Sequence, residues 1–300
     1  MVGVPTFATP PGFLGLPFTT TPAALSVAGI PLDIGTTNRA GTRAGPQAIR
    51  AASRMLVDGA HPVSGVDPAT LSLADLGEFA IALGDIQASL ALIEQQAALI
   101  PHLLALGGEH GVTLPLLRAL ARRVGQSLAL LHVDAHCDTW SESFGQEYGH
   151  GSVFFHAINE GLIDPHRTIQ IGIRATVQTE VAAWAPARGV TVLSAQDVHA
   201  EGIAATIARA RAVLGTGPAY LSFDIDALDP AFAPGTGTPE IGGLASWQAQ
   251  ALIRGMAGLD WRGMDLVEVA PAYDVSEITA LAGATLAWEY ICMVGKDWGK

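Results

Sequence analysis

Positive charge is scarce in this sequence. Its 300 residues carry 16 Lys and Arg against 28 Asp and Glu, a net charge of −12. Phosphate backbones are held by basic surfaces, so a nucleic acid is not an expected partner. Cysteine is scarcer: Cys137 and Cys292 are the only two, too few for a disulfide framework. No basic region followed by a long apolar run opens the chain, which speaks against a secretory leader. No apolar stretch reaches the roughly 20 residues that span a bilayer. The expected setting is therefore the reduced cytoplasm, with no membrane partner. No G-x-G-x-x-G follows the first apolar segment, so the dinucleotide fingerprint is missing. Composition breaks, repeats and low-complexity linkers are missing too.

What the chain does have is apolar residues, 49% of the total, enough for a large core. Apolar segments at 25–30, 103–106, 128–133, 168–173, 190–193, 219–223 and 263–269 read as strands, with short ones at 71–73 and 79–80. Helices are expected at 46–56, 86–100, 113–124, 152–161, 177–184, 200–214, 246–258 and 277–293, the last capped by Ser276. Most strands are apolar throughout rather than alternating. That pattern marks a mostly parallel sheet covered on both faces, a three-layer α/β/α sandwich. One domain is expected over 25–300. An N-terminal arm at 1–24 carries the apolar insert FLGLP, which packs either on its own domain or under a neighbouring subunit.

In such sheets ligands bind beyond the carboxyl ends of the strands, where this chain gathers its acids and histidines. The segment 128–133 runs into Asp134-x-His136-x-Asp138. In an extended backbone, residues spaced by two share a face, which brings three donors suited to a divalent cation together. Cys137 then points away, as a small buried residue behind the site. His110 follows the segment 103–106, Asp224-x-Asp226 follows 219–223, and Glu268 sits within LVEV. A carboxylate in so apolar a strand needs a partner, because desolvating it unpaired is expensive. Two histidines and four aspartates are too many for one catalytic zinc. They match two ions sharing carboxylates, with oxygen donors favouring Mn²⁺ over Zn²⁺. Two ions about 3.5–4 Å apart turn a shared water into a nucleophile at neutral pH. The expected reaction class is metal-assisted hydrolysis.

The segments GGEHGVTLP, HVDAHCDTW, SFDIDALDPAFAPGTGTPEIGG and LVEVAPAYDVSEITALAGAT resemble the ureohydrolases: arginases, agmatinases and their guanidino-acid relatives. GTRAGPQAIR and IDPHRTIQIGIR extend the likeness to most of the chain, closest to the agmatinase and guanidinobutyrase branch. The resemblance implies an arginase-like fold and hydrolysis of a guanidino group to urea and an amine. It implies one metal on His110, Asp134, Asp138 and Asp224 and the other on Asp134, His136, Asp224 and Asp226. It gives Glu268 the substrate guanidinium, His150 the proton shuttle, and Asp138 the protonation of the leaving amine. It also implies two divalent ions per chain, Mn²⁺ ahead of Ni²⁺, and a homo-oligomer, a trimer or hexamer.

Some positions depart from the family pattern. Glu109 stands where Asp is usual, and Gly111 where Ser is usual. The residues 150–152 read HGS rather than HGT, and 153–156 read VFFH where a Pro-Phe-Arg-Arg run is common. Losing basic residues there, with Glu142 and Glu147 nearby, disfavours a substrate with a distal carboxylate. Agmatine is the first expected substrate; 4-guanidinobutyrate, guanidine and a biguanide are the alternatives. From other classes, a mononuclear zinc deacetylase and a non-catalytic partner subunit compete. The intact ligand set speaks against both.

Overall fold

A computed structural model of the chain describes residues 10–296. Its strands are β1 (Leu25–Ile30), β2 (Leu73–Glu78), β3 (Leu103–Gly107), β4 (Leu128–Val133), β5 (Ile163–Ile173), β6 (Thr191–Ser194), β7 (Pro218–Asp224) and β8 (Asp260–Val267). They form one sheet in the order β2-β1-β3-β8-β7-β4-β5-β6, with every pairing parallel. The helices are α1 (Gly45–Ser53), α2 (Ile86–Ala97), α3 (Thr113–Val124), α4 (Val153–Asn159), α5 (Thr179–Trp184), α6 (Ala195–Glu201), α7 (Ile203–Leu214), α8 (Ser246–Gly255) and α9 (Ile278–Gly295).

Period-two geometry splits the strand side chains between two cores. Leu104, Leu106, Ala129, Leu131 and Val133 pack with residues of α1, α7, α8 and α9. Leu103, Ala105, Leu128 and Leu130 pack with residues of α2, α3 and α4. Because both faces are covered, the central strands carry no polar alternation, which is why β1, β3, β4 and β7 are buried along their whole length.

Four local expectations are corrected. The short strands expected at 71–73 and 79–80 are replaced by one strand between them, β2. Its sequence LADLGE hides a strand because Asp75, fully buried, is neutralised: Arg50 reaches it through Nε at 2.8 Å and Nη2 at 3.0 Å. The helix expected over 200–214 breaks at Gly202, whose φ of 81° is open to glycine. Ser276 does not cap α9. The chain enters that helix through left-handed Ser276 and Glu277, and Asp274 caps it from further back, accepting from Thr279 N at 2.9 Å and Ala280 N at 3.0 Å. The β5 strand starts at Ile163 rather than 168, lengthened by its pairing with Leu128.

Of the N-terminal arm, residues 1–9 lie outside the described residues. Phe13 packs on its own chain, fully buried, with its N–H on Asp75 at 2.6 Å. Among the described residues one helix, α9, is long and apolar enough to cross a membrane, with a mean hydropathy of 1.4; 78% of it is buried within the fold.

Arg50 is 2% exposed and also binds Glu78 at 2.6 Å. Replacing it with Met strands Asp75 as an uncompensated buried charge. Arg50→Met should cost about 3–5 kcal/mol in urea unfolding; a loss below about 1 kcal/mol would show that Asp75 finds another partner.

Candidate active site

The adjacent strands β3, β8, β7 and β4 end side by side, and each delivers acids or histidines just at or past its last residue. His110 follows β3, Glu268 follows β8, Asp224 closes β7 and Asp134 follows β4. The two acidic motifs turn by the same local rule. Asp134 Oδ1 accepts from His136 N at 2.6 Å, and Asp224 Oδ1 accepts from Asp226 N at 2.8 Å. Each is an Asp side chain bonding its own backbone two residues on. The expected extended geometry of Asp134-x-His136-x-Asp138 is therefore corrected. The strand stops at Val133, and Asp138 has a φ of 49°. The convergence of the three groups comes from a turn, not from strand alternation. Glu268 likewise lies one residue past β8, with a φ of 64°.

Two clusters result, joined through Asp134. His110 Nδ1 lies 2.9 Å from Asp138 Oδ2, 3.1 Å from Asp134 Oδ2 and 3.3 Å from Asp224 Oδ2. None of these contacts has hydrogen-bond geometry, so a fully buried ring nitrogen faces three carboxylate oxygens without bonding any of them. His136 Nδ1 lies 3.1 Å from Asp226 Oδ2 and 3.4 Å from Asp134 Oδ1. Donors that converge on a point rather than on each other fit a cation, and carboxylates with a minority of imidazole suit divalent metals.

Electrostatics say the same. Burial would raise the Asp134 carboxyl, but His132, His110 and His136 around it hold it well below the carboxylate range. Asp224 has fewer such neighbours: burial and the charges of Asp226 and Asp134 push it well above that range. Burial and Asp134 likewise raise Asp226. Burial lowers His136, yet the charge of Asp226 and the contacts with Asp134 raise it overall.

Several groups escaped the sequence reading. His132, in β4, donates through Nε2 to Asp134 Oδ2 at 2.7 Å. Its tautomer follows from Gln170: the Gln170 amide nitrogen donates to the Cys137 carbonyl at 2.7 Å and to His132 Nδ1 at 3.0 Å. His132 Nδ1 is thus an acceptor and Nε2 carries the proton, so His132 steadies Asp134 rather than binding metal. On the other side, His110 Nε2 meets Ser222 Oγ at 2.8 Å, and Ser222 donates to Asp265 at 2.7 Å. Tyr220 and Thr113 also donate to Asp265, which is fully buried. Such outer partners orient metal-binding imidazoles. The signal was in the sequence: His132 and Asp265 are polar residues inside apolar strands, as unusual there as Glu268 beside them. Cys137, as expected, is buried, and burial raises its thiol.

His150 and Glu268 face each other, His150 Nδ1 lying 3.1 Å from Glu268 Oε1. Glu268 is 1% exposed; its Oε1 also accepts from His110 N at 2.8 Å, while Oε2 is buried with no partner. Thr37 holds the far side of the His150 ring, its N–H donating to Nε2 at 3.1 Å. Burial lowers His150, but Glu268, Asp138 and Glu109 outweigh it and bring the imidazole to about 9; the Thr37 N–H, pointing at Nε2, favours the opposite, neutral form.

A cavity of about 550 Å³ opens over the centre, lined by His136, Asp138, Asp224 and His150 among others. Glu268, in contact with His150, borders the centre beside the cavity-lining residues. Glu142 and Glu240 line the cavity, and among the described residues no Lys or Arg does. Glu147 is absent from the wall, and 153–156 lie in α4, where Phe154 is buried against the His132 ring. The expectation that those positions set the charge of the mouth is corrected. Glu240 sets it with Glu142, and Arg174 ties the Glu240 and Asp226 backbones together through carbonyl bonds of 2.7 Å each.

At neutral pH a carboxyl whose native pKa is raised opposes folding, because the charge is cheaper in the unfolded chain. Asp224→Asn should therefore stabilise the metal-free protein by about 1–3 kcal/mol in urea unfolding and abolish the stabilisation that added Mn²⁺ gives the unmodified chain. A metal-free Asp224→Asn protein less stable than its parent would contradict this reading of the cluster.

The comparisons agree with this geometry. The model of the Arginase family matches residues 23–293. A guanidinopropionase of Pseudomonas aeruginosa is 48% identical, over 98% of this chain and 94% of that protein. An agmatinase of Salmonella dublin is 46% identical, over 93% of this chain and 92% of that one. The crystal structure of a hypothetical agmatinase from Burkholderia thailandensis superposes with a TM-score of 0.90 at 43% identity, covering 96% and 92% of the two chains. With an all-parallel sheet and a buried aspartate–histidine cluster at its carboxyl edge, the chain belongs to the arginase family, as an amidinohydrolase acting on guanidino compounds.

Proposed function

We propose that the chain hydrolyses agmatine to urea and putrescine within one catalytic domain that runs from residue 25 on. The observation that carries the substrate is the cavity wall outside the acid–histidine centre: it holds two further carboxylates, Glu142 and Glu240, and no Lys or Arg among the described residues. A tail ending in an ammonium group is attracted there and a carboxylate tail is repelled. A carboxylate-tailed guanidino acid is the second candidate, favoured by the 48% identity with a guanidinopropionase.

His110, Asp134, Asp138 and Asp224 would hold one ion, and Asp134, His136, Asp224 and Asp226 the other, with Mn²⁺ ahead of Ni²⁺. The unbonded His110 Nδ1 and the surrounding carboxylate oxygens support that set. When bound, the ions supply an activated water and stabilise developing negative charge. The chain's own groups do the rest. Glu268 Oε2, buried without a partner, takes the planar guanidinium, a match of cation to unmet acceptor. Asp138, on the cavity wall, accepts a proton from the attacking water and gives it to the departing amine nitrogen. His150, between Glu268 and Thr37, passes protons to solvent. The active form would be a trimer or hexamer, as the family resemblance implies.

Urea release over a guanidino panel tests the substrate. Agmatine should exceed 4-guanidinobutyrate and 3-guanidinopropionate in kcat/KM by about tenfold or more, one tail charge being worth about 1.4 kcal/mol or more. Faster turnover of either acid would overturn the choice. Asp134→Ala should lose metal and activity together. His150→Ala should keep its metal but slow kcat about 10²–10⁴-fold; full activity in that variant would sink the shuttle.

A further inference from the structure

The side chain of Glu109, next to His110, is 1% exposed and lies in a slot walled by glycines. Gly35 N donates to Glu109 Oε2 at 2.6 Å. A Cβ on Gly35 would stand 2.5 Å from Glu109 Oε1 and 3.2 Å from Gly149 Cα; one on Gly111 would stand 2.9 Å from the same oxygen. Real Cβ atoms do not come that close, so the carboxylate occupies the room that side chains at 35 and 111 would need. A flexible carboxylate escapes a single clash by moving aside. Moving aside here costs the Glu109 carboxylate its bond from Gly35 N, because the same side chain makes that bond and lies in the room a side chain at 111 would take. Glu109 and Gly111 are thus coupled by geometry: the Glu109 arm lies in the room that Gly111 leaves.

The slot lies behind the catalytic mouth. Gly35 O accepts from His150 N at 3.4 Å. Two residues on, Thr37 meets His150 Nε2 with Oγ1 at 2.8 Å and with N at 3.1 Å. The grip of Glu109 on Gly35 therefore fixes the segment that holds the back of the His150 ring. We propose that Glu109, given room by Gly111, is a positioning residue that sets the 33–37 segment, and through Thr37 the His150 imidazole, against Glu268. The proposal rests on the role assigned to His150 above.

A double-mutant cycle on the metal-loaded, full-length chain tests it. Gly111→Ser pushes the carboxylate off Gly35. Amide exchange across residues 31–39 should accelerate, and kcat should fall about tenfold or more, since displacements near 1 Å cost up to about 10²-fold. KM should move less than about threefold, and the metal count should hold. In Glu109→Asp/Gly111→Ser the shorter arm withdraws and the serine hydroxyl refills the slot beside Gly35. Both kcat and exchange should then return to within about threefold of the parent, a coupling of neighbours that independent sites do not show. Losses that merely add, or a Gly111→Ser chain with parental exchange and kcat, overturn the proposal. If Gly111→Ser does not fold, Glu109→Asp alone should show the same faster exchange and lower kcat, and adding the serine should restore both; a neutral Glu109→Asp overturns the proposal equally. The kcat arm uses whichever guanidino compound releases urea, so a wrong substrate leaves it intact. Full activity in His150→Ala would remove the shuttle while the exchange arm still reports on the slot.

Discussion

Buried negative charge governs this structure. Asp134, Asp138, Asp224, Asp226 and Glu268 converge where four neighbouring strands stop, each 6% exposed or less. Carboxylates packed that closely in a low-dielectric interior cannot all ionise without cations among them. The histidines compensate in part, most fully at Asp134, whose carboxyl they pull down, and least at Asp224, whose carboxyl burial and the neighbouring acids push up. The rest of the site follows from that imbalance. Outer groups such as His132, Gln170, Ser222 and Asp265 keep the donors aimed at points rather than at each other, and a parallel sheet fixes the strand ends rigidly enough to hold them there.

Much of this was legible in the chain. Uniformly apolar segments gave β1 and β4 their observed bounds and the sheet its parallel character, because burial on both faces leaves no room for polar alternation. The donors were legible because strand ends in such sheets carry the chemistry. What failed was local. Strand β2 carries Asp75, and the long-range bonds from Arg50 and Phe13 N make that tolerable. The reversal of the Asp134 and Asp224 motifs depends on side-chain-to-backbone bonds, which compete with extended structure. Asp274 caps α9 across left-handed residues that no spacing rule anticipates. His132 and Asp265 were visible as polar residues in apolar strands; a rule already applied to Glu268 would have found them.

The proposed function separates specificity from reactivity. The acids and histidines of the two clusters sit at strand ends, while the cavity wall around them comes from loops, with Glu142 on one and Glu240 on another. Loops can change the charge of a mouth without disturbing the centre beneath it. Relatives of nearly equal likeness, 48% and 46% identical, carry the names guanidinopropionase and agmatinase.

The most direct test of a two-ion centre is a titration of the metal-free chain with Mn²⁺, following urea release from agmatine against ions bound per chain. Two interlocked donor clusters sharing Asp134 predict that activity rises to a plateau at two equivalents, with little urea released at one. A plateau reached at a single equivalent would contradict the shared-carboxylate arrangement on which the structure has been interpreted.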